Sequence, residues 1–266
     1  MEDKVTLLGA RGSLPICGEA YLRYGGSTTS VLIELNGIPI LVDAGTGIMN
    51  LPDRALQSPE LTLLLSHPHA DHLIGLPMCP YLFRAGAALH LYAAVHDGRS
   101  AERQVRALFS PPLWPVGPDA LPCAVHIHDL TENLMVHGIT VEFMEGLHPG
   151  GVTLFRVSGN GKCVVVVTDC TITAEQMPGL VKFAQNCDLL LCDGQYSSEE
   201  WKTRSTFGHN TWVYAALLGK EAGAKQVRVI HHDPLHTDAF LDGAADELLR
   251  IHPRCGFGRE GEVILL

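Results

Sequence analysis

Charge is scarce in this 266-residue sequence: 18% of residues are Asp, Glu, Lys or Arg, with 29 acidic against 19 basic, a net of −10. A basic excess is missing, which argues against a general binder of nucleic-acid backbones, so no long nucleic acid is expected as a partner. No window approaches the ~18 uninterrupted apolar residues of a membrane helix. The start Met1-Glu2-Asp3-Lys4 leads into a strand-like run without the basic and apolar regions of a signal peptide. The expectation is a cytoplasmic chain with no membrane partner. Eight cysteines (17, 79, 123, 163, 170, 187, 192, 255) include no C-x-x-C pair and sit in apolar runs, so buried reduced thiols are expected rather than disulfides or a zinc-thiolate site. Low-complexity segments and short repeats are also missing. With 46% apolar residues, the chain suits one large core, read as a single domain over residues 1–266.

Histidine is plentiful, with 14 residues gathered where strand-like runs end. Period-two and apolar runs predict strands at 5–8, 30–35, 38–43, 61–65 and 88–92, with Gly37 in a hairpin turn. Helical patterns follow at 73–82 and 100–108, and then a proline-rich loop at 110–116. The second half repeats the plan, with strands at 125–128, 139–145, 152–157, 163–168, 189–192 and 226–230 and helices at 173–184 and 211–222. Two strand-rich halves, each finished by helices, predict an α/β fold, an αββα sandwich of two packed mixed sheets with helices outside.

His67-Pro68-His69-Ala70-Asp71-His72 places four ligand-capable side chains straight after the apolar run 61–65. Imidazoles and a carboxylate suit zinc or a related divalent cation in an incompletely filled shell. His148, Asp169 and His231 follow later strands. Each alone is as readily an ordinary strand-end polar residue, but together they exceed what one metal ion uses.

The order H-x-H-x-D-H, a lone His, an Asp and a strand-end His resembles the metallo-β-lactamase superfamily, and Leu41-Val42-Asp43-Ala44-Gly45 looks like its early Asp-bearing turn. Cys192-Asp193-Gly194-Gln195-Tyr196, Phe207-Gly208-His209-Asn210-Thr211 and Val229-Ile230-His231 are similar to the tRNase Z-like and cyclic-nucleotide phosphodiesterase branch. The resemblance implies two divalent metal ions, zinc with manganese or iron as alternatives. His67, His69 and His148 would hold one, and Asp71, His72 and His231 the other, with Asp169 bridging. For the last ligand His231 is favoured over His232 and His236. It also implies a homodimer. The tRNase Z enzymes carry a long arm between the lone His and the bridging Asp, whereas here 20 residues separate His148 from Asp169. That shortness points to a small-molecule phosphodiester, of the cyclic nucleotide or cyclic ribose phosphate type.

Two cations sharing a water lower its pKa by roughly eight units and make a hydroxide nucleophile. Asp71 and His209 are the expected catalytic residues, with His209 as general acid because imidazole titrates near neutrality; Asn210 is the alternative reading of that turn, as a helix cap. Asp43 and Asp193 are expected to orient ligand histidines. Gly9 to Ser13 is a weak candidate for phosphate contacts. Phe109 and Trp114 either stack on a base or cover the core. Two other functions remain: hydrolysis of a lactone, thioester or other carboxyl derivative at the same metals, and a non-catalytic binding or regulatory protein that keeps the fold.

Overall fold

The computed structural model describes residues 2–266. Among the described residues, fourteen strands form two seven-stranded sheets. Those of the first half are β1 (Lys4–Gly9), β2 (Ser30–Leu35), β3 (Ile38–Val42), β4 (Glu60–Leu65), β5 (Ala88–Ala93) and β6 (Ala124–Asp129). The second half contributes β7 (Leu134–Val136), β8 (Ile139–Gly146), β9 (Val152–Gly159), β10 (Lys162–Val167), β11 (Leu189–Asp193), β12 (Gln226–Ile230), β13 (Cys255–Phe257) and β14 (Val263–Leu265). The first sheet runs β14-β1-β2-β3-β4-β5-β6 and the second β13-β12-β11-β10-β9-β8-β7. Each changes from antiparallel to parallel pairing part-way, at β3 in the first and at β10 in the second. This is the expected sandwich. The final strand, unrecognised in the sequence, returns to the first sheet beside β1.

Period-two alternation explains the layering. Leu64, Val164, Val166, Leu189 and Leu191 join the core between the sheets. Their neighbours turn outward: Leu63 and Leu65 into a second apolar layer, and Val165, Val167 and Leu190 into a third. The helices cover those outer layers. On the first sheet lie the single turns α1 (Asp53–Leu56) and α2 (Ala70–Leu73) and the longer α3 (Ala101–Leu108). On the second lie α4 (Met177–Phe183), α6 (Trp212–Ala222) and α7 (Asp238–Ile251); α5 (Ser198–Arg204) has no buried residue. Among the described residues, no helix is long and apolar enough to cross a membrane.

The turn between β2 and β3 has positive φ at Asn36 and Gly37, as a two-residue hairpin requires. The helix expected over 73–82 does not form. One α turn ends at Leu73, and 3₁₀ turns follow at Leu76–Met78 and Pro80–Phe83, because Pro77 and Pro80 cannot continue an α-helical ladder. The helix expected from 173 begins at Met177. Ser100 and Thr211 cap α3 and α6 by accepting from Arg103 N and Tyr214 N, so Thr211, not Asn210, is the cap. Phe109 is buried in the outer core of the first sheet, which removes it from any base-stacking surface, and Trp114, half-buried, packs against that core.

Leu64→Ala, in the completely buried layer between the sheets, is expected to cost about 2–5 kcal/mol in urea unfolding. Met135→Ala, on an exposed edge, should stay within about 0.5 kcal/mol. Equal effects would contradict the assignment of the core.

Candidate metal centre

The parallel strands of both sheets end along one edge, and the histidines and aspartates follow those ends. Asp43 succeeds β3, His67 closely follows β4, Asp169 closely follows β10, and His231 succeeds β12. Asp43, Asp169 and His231 adopt φ of 62°, 43° and 62°. A left-handed backbone costs an L-residue on the order of 1 kcal/mol, which packing elsewhere sustains. It turns the chain sharply at the strand end and aims the side chain into the space between the sheets.

Two groups of side chains converge there. His67, His69 and His148 form one: His69 Nδ1 lies 2.9 Å from His67 Nε2 and 3.1 Å from His148 Nε2. Asp71, His72, Asp169 and His231 form the other, with His231 Nε2 3.0 Å from Asp71 Oδ2 and His72 Nε2 3.4 Å from His231 Nε2. Asp169 faces both. Its Oδ1 is 3.2 Å from His72 Nε2 and 3.3 Å from His231 Nε2, while its Oδ2 is 3.6 Å from His67 Nε2 and 4.0 Å from His148 Nε2.

The remaining ring nitrogens establish what these atoms are. Ser66 Oγ donates to Asp43 Oδ2 at 2.9 Å and so accepts from His67 Nδ1 at 3.0 Å. His72 Nδ1 donates to Asp43 Oδ2 at 2.8 Å, His148 Nδ1 to the Gly208 carbonyl at 2.8 Å, and His231 Nδ1 to Gln195 Oε1 at 3.1 Å. All four therefore turn an Nε2 lone pair inward, toward the carboxylates of Asp71 and Asp169. A space lined by acceptors fits a cation, and outward N–H donation is how metal-ligating imidazoles are held. Without a cation, protons substitute. Burial opposes charge on His231 and His72, but Asp169 and Asp71 outweigh it, raising His72 and lifting His231 to about 9. His67 goes the other way: burial, and then His72, push it well below the usual imidazole value.

Of the three candidates for the last ligand, only His231 faces this space. His232 donates to the Gly258 carbonyl at 2.8 Å and packs on Tyr24 and Phe257; His236 meets Glu200 at 2.9 Å and stacks on Phe240. Asp43 and Asp193 each orient a histidine, Asp43 as described and Asp193 by accepting from His209 Nδ1 at 3.1 Å. His209 lies at the margin, stacked on His231 at 4.8 Å, with Nδ1 3.9 Å from Asp169 Oδ2. Gly208, at φ 89°, lets the turn lie directly on His148, since a Cβ there would lie 2.4 Å from His148 Nδ1. Ser66 and Gln195 were not singled out in the sequence, where neither residue type signals a metal site.

His69 is the exposed member of the two groups and marks the mouth. Beside it lies a cavity of about 280 Å³ whose apolar walls include Pro68, Ala70, Leu73, Ile74, Leu108 and Leu113.

Residues 39–232 match the family model described as the beta-lactamase superfamily domain. The curated Ribonuclease Z of Lachnoclostridium phytofermentans is 24% identical over 98% of this chain and 97% of its own length. The crystal structure of human tRNase Z, short form, superposes with a TM-score of 0.72 at 17% identity, covering 98% of each chain. A diphosphatase from the PhnP family gives 0.71 at 17% identity, over 99% of this chain and 98% of that one.

These relatives overturn the expectation that a long nucleic acid is no partner: proteins matching nearly end to end are named for action on RNA. Net charge was the wrong quantity to argue from, because backbone contact depends on local rather than total charge. The family match, the sandwich and the converging acceptors agree: the chain belongs to the beta-lactamase superfamily, on its tRNase Z-like branch, and is a metal-dependent hydrolase.

Proposed function

We propose that the chain hydrolyses a phosphodiester at two zinc ions, one held by His67, His69 and His148, the other by Asp71, His72 and His231, with Asp169 between them. Two such ions supply positive charge for a phosphoryl oxygen and acidify a water by roughly eight pKa units. The observation that carries the choice of a phosphodiester is the pair His209–Asp193. Asp193 accepts the Nδ1 proton at 3.1 Å, which leaves Nε2 to hand a proton to a departing oxygen. Asp193 is fully buried and keeps the ring in that orientation.

The substrate class proposed is a small diester, a cyclic nucleotide or cyclic ribose phosphate, whose apolar portion enters the cavity beside His69 while the phosphate lies at the mouth. An RNA end presents the same bond, so a 3′-extended RNA belongs in the substrate panel.

Zinc-loaded protein should cleave bis(p-nitrophenyl) phosphate and at least one natural diester, lose both activities on chelation and regain them with zinc. Absence of metal-dependent cleavage of any diester would defeat the reading, and turnover of lactones or thioesters instead would move it to carboxyl chemistry.

His209→Ala should lower kcat by about 10²–10⁴-fold on a diester with an alkoxide leaving group, with zinc content unchanged. On bis(p-nitrophenyl) phosphate the loss should be much smaller, because nitrophenolate leaves without a proton. Equal losses on both substrates would deny His209 the role of acid.

Chelation should also change the pH dependence of stability. His231 has a folded value near 9, above its ordinary imidazole value, so the stability it contributes is complete below about 6.5 and lost as pH rises toward 9. Urea unfolding of the chelated protein should weaken across that window, and His231→Gln should flatten the trend. A chelated wild type equally stable at pH 6.5 and 9 would contradict the charge assignment.

A further inference from the structure

Gly12-Ser13, in the N-terminal glycine turn, serves the metal centre from behind. Ser13 N donates to Asp71 Oδ2 at 2.8 Å, with Ser13 at φ 61°. Gly12 N donates to the His232 carbonyl at 2.9 Å, which binds the turn to the loop after β12. A Cβ on Gly12 would fall 2.3 Å from His231 Nδ1, so the bare backbone lies directly on that imidazole.

Gln195, only 3% exposed, completes the arrangement. Its Oε1 faces His231 Nδ1 at 3.1 Å, and its Nε2 reaches Ser13 Oγ at 3.2 Å and Asp233 Oδ2 at 3.5 Å. A carboxylate only accepts, so Asp233 fixes the amide with its NH₂ outward and its carbonyl toward His231. That carbonyl accepts a proton from Nδ1 and forces the tautomer whose Nε2 lone pair points into the site. The links close on themselves: Asp71 to Ser13, Ser13 to Gln195, Gln195 to His231, and His231 Nε2 to Asp71 Oδ2 at 3.0 Å.

We propose that Gln195 is a positioning residue which, through this ring, sets the affinity of the cation held by Asp71, His72 and His231 independently of the other. The inference rests on the dinuclear reading above. The other group draws its support elsewhere, His67 from Ser66 and His148 from the Gly208 carbonyl. Asp169 faces both groups and Asp43 supports both, through Ser66 and through His72, but neither is part of the ring.

Stepwise zinc affinities, measured by competition with a chromophoric chelator, test this directly. Gln195→Leu should weaken one of two steps by about 10–100-fold and leave the other unchanged. Gln195→Glu, which keeps an acceptor toward His231 but loses the donor to Asp233, should weaken the same step by less than Gln195→Leu. Ser13→Ala, which removes the hydroxyl but not the N–H to Asp71, should weaken the same step by less. Gln195→Met serves the same measurement if the leucine variant fails to fold. Loss of both steps together, or of neither, would overturn the role given to Gln195 while the wild type still binds two ions. A wild type binding fewer than two would instead overturn the dinuclear reading.

Discussion

Imidazole lone pairs and carboxylates cannot be held about 3 Å apart in a buried space without positive charge among them. Much else in the molecule answers to that constraint. Asp169 sits at its centre, one oxygen toward each group of histidines, and the outward nitrogens of four rings are each fixed by an acceptor. Positive φ at Asp43, Asp169 and His231 is what brings these side chains inward at the strand ends. The two sheets provide the rigidity that sustains it, through a dry layer of Leu, Val and Ile between them and helices over both outer faces.

The supports differ between the two groups. His67 is tied through Ser66 to Asp43, which also receives His72, so a single buried carboxylate links the first group to the second. His148 depends on a glycine carbonyl, and the adjacent His209 takes its orientation from Asp193. Asp169, Asp193 and His231 stand at or just after the ends of the neighbouring strands β10, β11 and β12, whose parallel register sets their spacing.

Much of this was legible in the sequence because its signals are local. H-x-H-x-D-H announces itself, and alternating apolar runs identify the strands and therefore the ends where His148, Asp169 and His231 stand. Failures arose where the deciding partner lies far along the chain. Gln195 and Ser13 are 182 residues apart, and neither residue type marks a metal site. A helical pattern beyond His72 was interrupted by Pro77 and Pro80, to which greater weight belonged. By contrast α7 carries a local signal, with Thr237 as its cap before the apolar positions Leu241 and Leu248. The exclusion of RNA failed for a different reason, since total charge does not report how charge is distributed over the surface.

The central claim is that the acceptors around Asp169 hold two cations. Anomalous diffraction at the zinc edge from crystals of the zinc-loaded protein tests it most directly. Two peaks are predicted, one among His67, His69 and His148 and one among Asp71, His72 and His231, with Asp169 between them. A single peak, or zinc bound away from Asp169, would contradict the account.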